Sequence, residues 1–437
     1  LVGCINEIGA KQKADNVSGL LGEYSLKIFY ESRSPKLPQG FLLRIGIDDF
    51  KNINESHGNE YGDYILRRTA QCIEENIGPE QSLFHIVADE FAVVDFSGGS
   101  VETAEKLFHE IKKSIYAFIE QNQYKAVYTV SGGIVENGDV DNSFENAMKL
   151  SEFALSQAKE RGKNSCYVFE QKEYEDYLKS RTLLRQLHHA VNNGFEGFEA
   201  YFQPLVNAAN GELTGAETLL RFHSPEGGMV SPGEFIPILE ESGLIIPVGR
   251  WVLRQALDAC REWQKILPEF KVNVNLSYVQ VLKSRVLTDV RRIVDEFGVK
   301  PSSVCIELTE SGYLEENERF DKVWNGLKEY GVLLALDDFG TGYSNLRCLS
   351  DLKPAYIKID RSFTLKALNR EYEYRLLNHI VEMSHSLGLH VCVEGIETEG
   401  ELTKAKQTEP DYIQGFLFGK PCSRAEFTQK FFTKQAG

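Results

Sequence analysis

The acids Glu217, Glu307, Asp337, Asp338 and Glu394, the amides Asn275 and Gln414, and Lys358 each sit within, or directly after, a short apolar run. The runs are 215–219, 272–276, 304–308, 334–338, 356–360, 391–394 and 412–414, and an eighth, 200–203, precedes them. Repeated strands that carry polar groups at their ends are how a β/α barrel furnishes its catalytic mouth. Five carboxylates converging on one mouth repel strongly unless divalent cations sit among them. No thiolate or imidazole stands among these groups, and hard oxygen donors select Mg²⁺ or Mn²⁺. Two such ions about 4 Å apart activate a water and stabilise the oxyanions of an in-line displacement. The pattern predicts a metal-dependent hydrolase.

The elements that must hold those groups follow from periodicity. From residue 195 onward strand and helix patterns alternate, with helices expected over 247–263 and 371–387. Ahead of them, 171–193 carries Leu183, Leu184, Leu187, Ala190 and Val191 as an amphipathic stripe, closed by Gly194 as a C-cap. The first part of the chain reads as strand 41–47, helix from 64 to about 76, hairpin 83–87 with 91–94, helix 102–122, strand 126–135, helix 143–161 and strand 166–169. That order predicts an α+β domain on an antiparallel sheet. Residues 1–14 read as the end of a connecting helix.

At 437 residues, with 42% hydrophobic and 26% charged residues, the chain can bury two sizeable cores. A formal charge of −16 excludes generic binding to a nucleic-acid polymer, which needs a basic face, but leaves room for a small anion held by metals and a few arginines. Its plainer meaning is solubility. The eight cysteines form no C-x-x-C pair and read as reduced thiols of a cytoplasmic protein. No run approaches the 18 apolar residues of a membrane span. A start inside a helix predicts a fragment of a longer protein, whose own anchoring stays open. Taken singly, each polar strand end has a plainer use: an acid caps the next helix, Asp337-Asp338 closes a turn, Lys358 is solvated. Their repetition in barrel order outweighs this. Lys353-Pro354, His188-His189, Trp251 and Trp263 read as surface, linker and core.

Glu217-Thr-Leu-Leu-Arg221, Asn275-Leu-Ser277, Glu307-Leu-Thr-Glu310, Asp337-Asp-Phe-Gly-Thr-Gly-Tyr-Ser344, Lys358-Ile-Asp360, Glu394-Gly-Ile-Glu397 and Gln414-Gly-Phe416 together resemble the EAL family of cyclic di-GMP phosphodiesterases, over about 180–432. Thr218 replaces the alanine of the naming motif and leaves its acid in place. The resemblance implies a TIM-barrel-like α/β domain that hydrolyses cyclic di-GMP to linear pGpG. It implies one ion on Glu217, Asn275, Glu307 and Asp337, and a second on Asp337, Asp338 and Glu394. Lys358 would orient the attacking water, with Glu394 and Gln414 touching the same water network. Gln203, Arg221 and Asp360 would contact substrate, Glu310 would anchor the loop 339–344, and Glu397 would support the site from behind. A homodimer through this domain is implied too. The rival reading is a receptor that binds cyclic di-GMP without hydrolysing it.

Residues 15–170 resemble the GGDEF family of diguanylate cyclases, a nucleotide cyclase-like α+β fold. Asp15-Asn-Val-Ser-Gly-Leu20 and Gly46-Ile-Asp-Asp-Phe-Lys51 carry the likeness, with Asn54 and Asp63 at guanine-recognising positions and Lys159 and Lys163 at phosphate-binding ones. The naming motif reads Val87-Ala-Asp-Glu-Phe91, so a β-branched residue fills space that glycine leaves for nucleotide. Gly46 replaces a metal-binding aspartate and leaves Asp89 as poor support for two ions, and Gly78-Pro-Glu-Gln81 replaces the product-inhibition motif. A degenerate cyclase without activity is expected. Two readings stay open: it binds GTP and tunes the phosphodiesterase, or it is a spacer or dimerisation unit. The expected layout is 1–14 connecting helix, 15–170 degenerate GGDEF domain, 171–194 linker helix and 195–437 EAL barrel.

Overall fold

The computed structural model describes residues 14–33, 39–122, 127–139, 143–309, 318–340 and 346–433, with backbone only for 346–348. All but the last residue of the connecting helix expected over 1–14, Glu310 and most of the loop 339–344 fall outside these residues. Two compact units divide the chain, Leu1–Leu178 and Lys179–Gly437, so the boundary falls inside the helix Gln171–Asn192.

The first unit is a five-stranded sheet, β1 (Phe41–Ile47), β2 (Gln81–Val87), β3 (Glu90–Asp95), β4 (Val130–Glu136) and β5 (Cys166–Val168), in the order β2-β3-β1-β4-β5. β1 is buried along its whole length, as a central strand covered on both faces must be. Phe41, Leu43, Ile45 and Ile47 point into one core, with Ile111 and Ile115 from the helix Val101–Gln121, whereas Leu42 points into the other, with Leu26 and Ala154. Strand alternation thus divides one apolar run between two cores. Gly133 in β4 lets the helix Phe144–Glu160 approach: a Cβ there would lie 2.3 Å from Leu155 N. β2 and β3 form the expected hairpin. The sheet is not wholly antiparallel, because β5 returns through a helix and pairs parallel to β4.

In the second unit β6 (Phe198–Asn207), β7 (Leu213–Ser224), β8 (Gly228–Val230), β9 (Lys271–Asn275), β10 (Val304–Thr309), β11 (Leu333–Phe339), β12 (Tyr356–Ile359), β13 (His390–Val393), β14 (Tyr412–Gln414) and β15 (Cys422–Ser423) form one sheet. Eight of these strands close a barrel, because β6 pairs with both β7 and β14, while β8 and β15 are short additions. The seven strands β7 and β9 to β14 run parallel, but β6 runs antiparallel to both neighbours. The reason is local: only residues 208–212 join β6 to β7, and so short a link makes a hairpin, not a crossover. Helices wrap the outside. The helix Ile245–Trp263 turns Val248, Val252, Ala256 and Trp263 inward. Trp263 packs on Phe202, Phe270, Phe427 and Phe432, and its indole donates to Thr428 Oγ1 at 2.8 Å, fastening the C-terminal helix Arg424–Phe431. Among the described residues no helix is long and apolar enough to cross a membrane.

Candidate metal centre

Register brings the predicted side chains together. Glu217 on β7 lies opposite Gln203 on β6 and Asn273 on β9, Asn275 opposite Glu307 on β10, and Asp337 on β11 opposite Thr309. Glu217 is not a strand end as expected: β7 continues to Ser224, held by its pairing with β6 and β8.

Lys358, 2% exposed, is the hub. Its Nζ lies 3.0 Å from Glu217 Oε2, 3.0 Å from Glu307 Oε2, 3.3 Å from Asp337 Oδ1 and 2.8 Å from Glu394 Oε1. Asn275 Nδ2 donates to Glu217 Oε1 at 2.9 Å, and Gln414 Nε2 donates to Glu217 Oε2 at 2.7 Å and to Gln203 Oε1 at 3.1 Å. Gln203 in turn donates to the Gly419 carbonyl, so it stands inside the network. The expectation missed Asn273, whose Nδ2 donates to Glu307 Oε1 at 2.7 Å; the two-residue spacing from Asn275 on one strand was the available signal.

The electrostatics fit one buried cation facing several acids. Burial opposes the Lys358 charge, yet Asp337, Glu217, Glu307 and Glu394 outweigh it and hold the ammonium well above its usual range. Burial pushes Glu307 well up, with Glu217 and Asp337 adding to the shift and Lys358 opposing it. Burial likewise raises Asp337, carries Glu394 to about 8 and carries Asp338 to about 6, again against Lys358. Glu217 goes the other way: burial raises it, but Lys358 and the hydrogen bonds from Gln414 and Asn275 bring it below the usual value.

The residues present fit a divalent cation. Glu217, Glu307 and Asp337 each offer an oxygen, all within 4.8 Å of one another. Gln414 Oε1 is a buried acceptor without a hydrogen-bond partner, and Asp337 Oδ1 and Glu394 Oε1 face the Lys358 ammonium. The donors are oxygens, as Mg²⁺ and Mn²⁺ prefer. Asp338 follows at φ +56°, a left-handed conformation that costs an aspartate roughly 1 kcal/mol and turns the chain sharply at the strand end.

The other predicted groups spread around the mouth. Arg221 lines a cavity of about 560 Å³ with Leu220, Ile236, Glu240 and Ser277, and its guanidinium lies 5.5 Å from the Tyr201 ring. Asp360 accepts from Ser362 N at 2.7 Å and so caps the helix Arg361–Asn369, the plainer use of a strand-end acid. Glu397 pairs with Arg361.

The first unit's polar positions are partnered differently. Asp48 accepts from Thr129, Ser131 and the Asn164 N–H, and Lys163 is neutralised by Asp49 at 2.8 Å. A Cβ at Gly46 would lie 2.9 Å from Lys159 Nζ, so this half-buried ammonium occupies the space of the missing side chain. Lys159 makes no ion pair or hydrogen bond among the described residues, and Asn54 Oδ1 is buried without a partner. Burial raises Asp89, with Lys159 opposing. Asp63, on the helix Asn59–Glu74, is half-buried. Val87 is 54% exposed, and Ala88 holds φ +50°, the turn geometry glycine would take more easily.

Comparison with known proteins adds the family. The family model described as EAL domain matches residues 184–421, and that described as diguanylate cyclase, GGDEF domain, matches residues 25–165. The chain is similar to the bifunctional diguanylate cyclase/cyclic di-GMP phosphodiesterase MucR of Pseudomonas aeruginosa, 29% identical over 87% of this chain and 55% of MucR. It is also similar to the cyclic di-GMP phosphodiesterase PdeR of Escherichia coli, 28% identical over 88% of this chain and 58% of PdeR. The chain spans about half the length of the curated relatives it matches. Among solved structures it resembles the PaMucR phosphodiesterase in complex with c-di-GMP, with TM-score 0.53 and 32% identity over 56% of this chain and 99% of that one.

Proposed function

Because the chain belongs to the EAL-domain family and carries a GGDEF domain ahead of the barrel, we propose that its second unit hydrolyses cyclic di-GMP to linear pGpG. The observation that carries this reading is the complete oxygen donor set around Lys358. Two ions, Mg²⁺ or Mn²⁺, held by Glu217, Asn275, Glu307 and Asp337 and by Asp337, Asp338 and Glu394, would supply Lewis acidity to water and to the phosphoryl oxygens. Lys358 offsets the acids' charge and holds the attacking water. Gln414 fixes Glu217 and reaches the same water. Arg221 meets a phosphate, and the cavity beside it admits part of the nucleotide. A receptor without catalysis would tolerate loss of these donors, and none is lost.

In the first unit, Gly46, Val87 and Ala88 argue against cyclase chemistry. The Lys159 ammonium, without an ion pair or hydrogen bond among the described residues, and the partnerless Asn54 oxygen favour a retained site for GTP that regulates hydrolysis. Self-association through the barrel rests on family likeness.

The test is incubation of the chain with cyclic di-GMP and Mg²⁺ or Mn²⁺, followed by chromatography. Linear pGpG is expected, and Glu217→Gln should reduce its formation at least 100-fold. Intact substrate from the parent chain, or full turnover by the variant, overturns the assignment.

A further inference from the structure

β9 alternates as Lys271-Val-Asn-Val-Asn275, so both asparagines face the barrel interior, with Asn273 one pleat deeper. Asn273 is 7% exposed. The small cavity at this depth, about 20 Å³, mixes apolar Leu205, Cys305 and Leu333 with polar Thr214, Lys271 and Lys358.

What the amide does is hold Glu307. Its Nδ2 donates to Oε1 at 2.7 Å, while Lys358 Nζ donates to Oε2 at 3.0 Å. The last torsion of a glutamate is broad, so one contact fixes one oxygen and leaves the carboxylate plane free to swing. Two contacts from opposite sides fix the plane. Oε2 then faces Lys358, in common with Glu217 and Asp337.

We propose that Asn273 is a positioning residue for cation binding: it orients the Glu307 carboxylate and thereby sets the affinity of the centre for a divalent ion. This rests on the reading of the cluster as a cation site. Groups behind metal ligands typically account for about 10–100-fold in affinity or activity.

The test is titration of the full chain with Mn²⁺, following free ion by electron paramagnetic resonance, without substrate. Glu217→Gln identifies the signal belonging to the barrel. Asn273→Leu, close in volume but without a donor, should weaken Mn²⁺ binding about tenfold or more and lower kcat, while KM for cyclic di-GMP at saturating Mn²⁺ stays within about twofold. A purely structural role would lower the melting temperature and leave Mn²⁺ affinity unchanged, which overturns the proposal. Should Asn273→Leu fail to fold, Asn273→Ala gives the same readout. If the parent chain binds no Mn²⁺, the cation-site reading falls and this inference with it; if the parent binds and both variants match it, only the inference falls.

Discussion

Lys358 Nζ lies 2.8 Å from Glu394 Oε1, nearer than to any of the other three carboxylates that surround it. One ammonium therefore faces four carboxylates and offsets part of their charge.

Removing it should expose that dependence. Lys358→Met leaves the acids without a counter-charge, and breaking a buried ion pair from one side costs about 3–5 kcal/mol. Thermal unfolding without metal should show the second unit melting earlier. Added Mg²⁺ should then stabilise the variant more than the parent, and hydrolysis should be lost. An unchanged melting temperature would refute the assigned balance of charge.

In the first unit, Gly46→Asp should not restore a cyclase. The new carboxylate would meet Lys159, whose Nζ already lies 2.9 Å from where its Cβ would sit, and the two would pair internally. Incubating parent and variant with GTP and Mg²⁺ or Mn²⁺ should yield no cyclic di-GMP by chromatography. A product peak from either would contradict the reading of these positions.

Asp411 predicts a pH effect. Burial pushes its carboxyl up, but hydrogen bonds from His390, the Val391 N–H and His385 outweigh that and hold it below the usual value. A depressed carboxyl contributes stability that is complete above its unfolded value, about 3.9, and lost as pH falls through its lower folded value. Asp411→Asn should therefore be less stable than the parent at pH 6, and the gap should close below about pH 4. Melting curves across that range check it; a constant gap would disprove the linkage.

Trp263→Ala should open a cavity among Phe202, Phe270, Phe427 and Phe432 and cost about 3–5 kcal/mol in the second unit. Trp263→Phe keeps most of the contact and forfeits the bond to Thr428, about 1 kcal/mol. Denaturant unfolding should rank parent, Phe and Ala in that order.

Much of this was legible in the residues. The recurrence of polar groups at the ends of apolar runs placed Glu217, Glu307 and Lys358 at one barrel mouth, because a β/α barrel gathers its strand ends there. The direction of β6 was not, since an apolar run has no arrow until the five residues after it are seen to be too short for a crossover. Asn273 escaped because it lies within its run, where a polar residue reads as an exception to burial and its partner, Glu307, is 34 positions away. The short helix Phe50–His57 escaped too, having one buried residue, Ile53, to mark its face. That Lys159 fills the space beside Gly46 could not be read: a gap left by glycine is filled by whatever neighbour reaches it.

The reversed β6 strand has a kinetic corollary. Gln203 and Glu217 face each other across a hairpin only fourteen positions apart, so this edge of the centre is assembled by a local closure. Hairpins close in roughly 1–10 μs, whereas parallel neighbours await their intervening helices. The first acid of the centre therefore has one partner strand a short loop away, while its other neighbour, β9, lies across two helices.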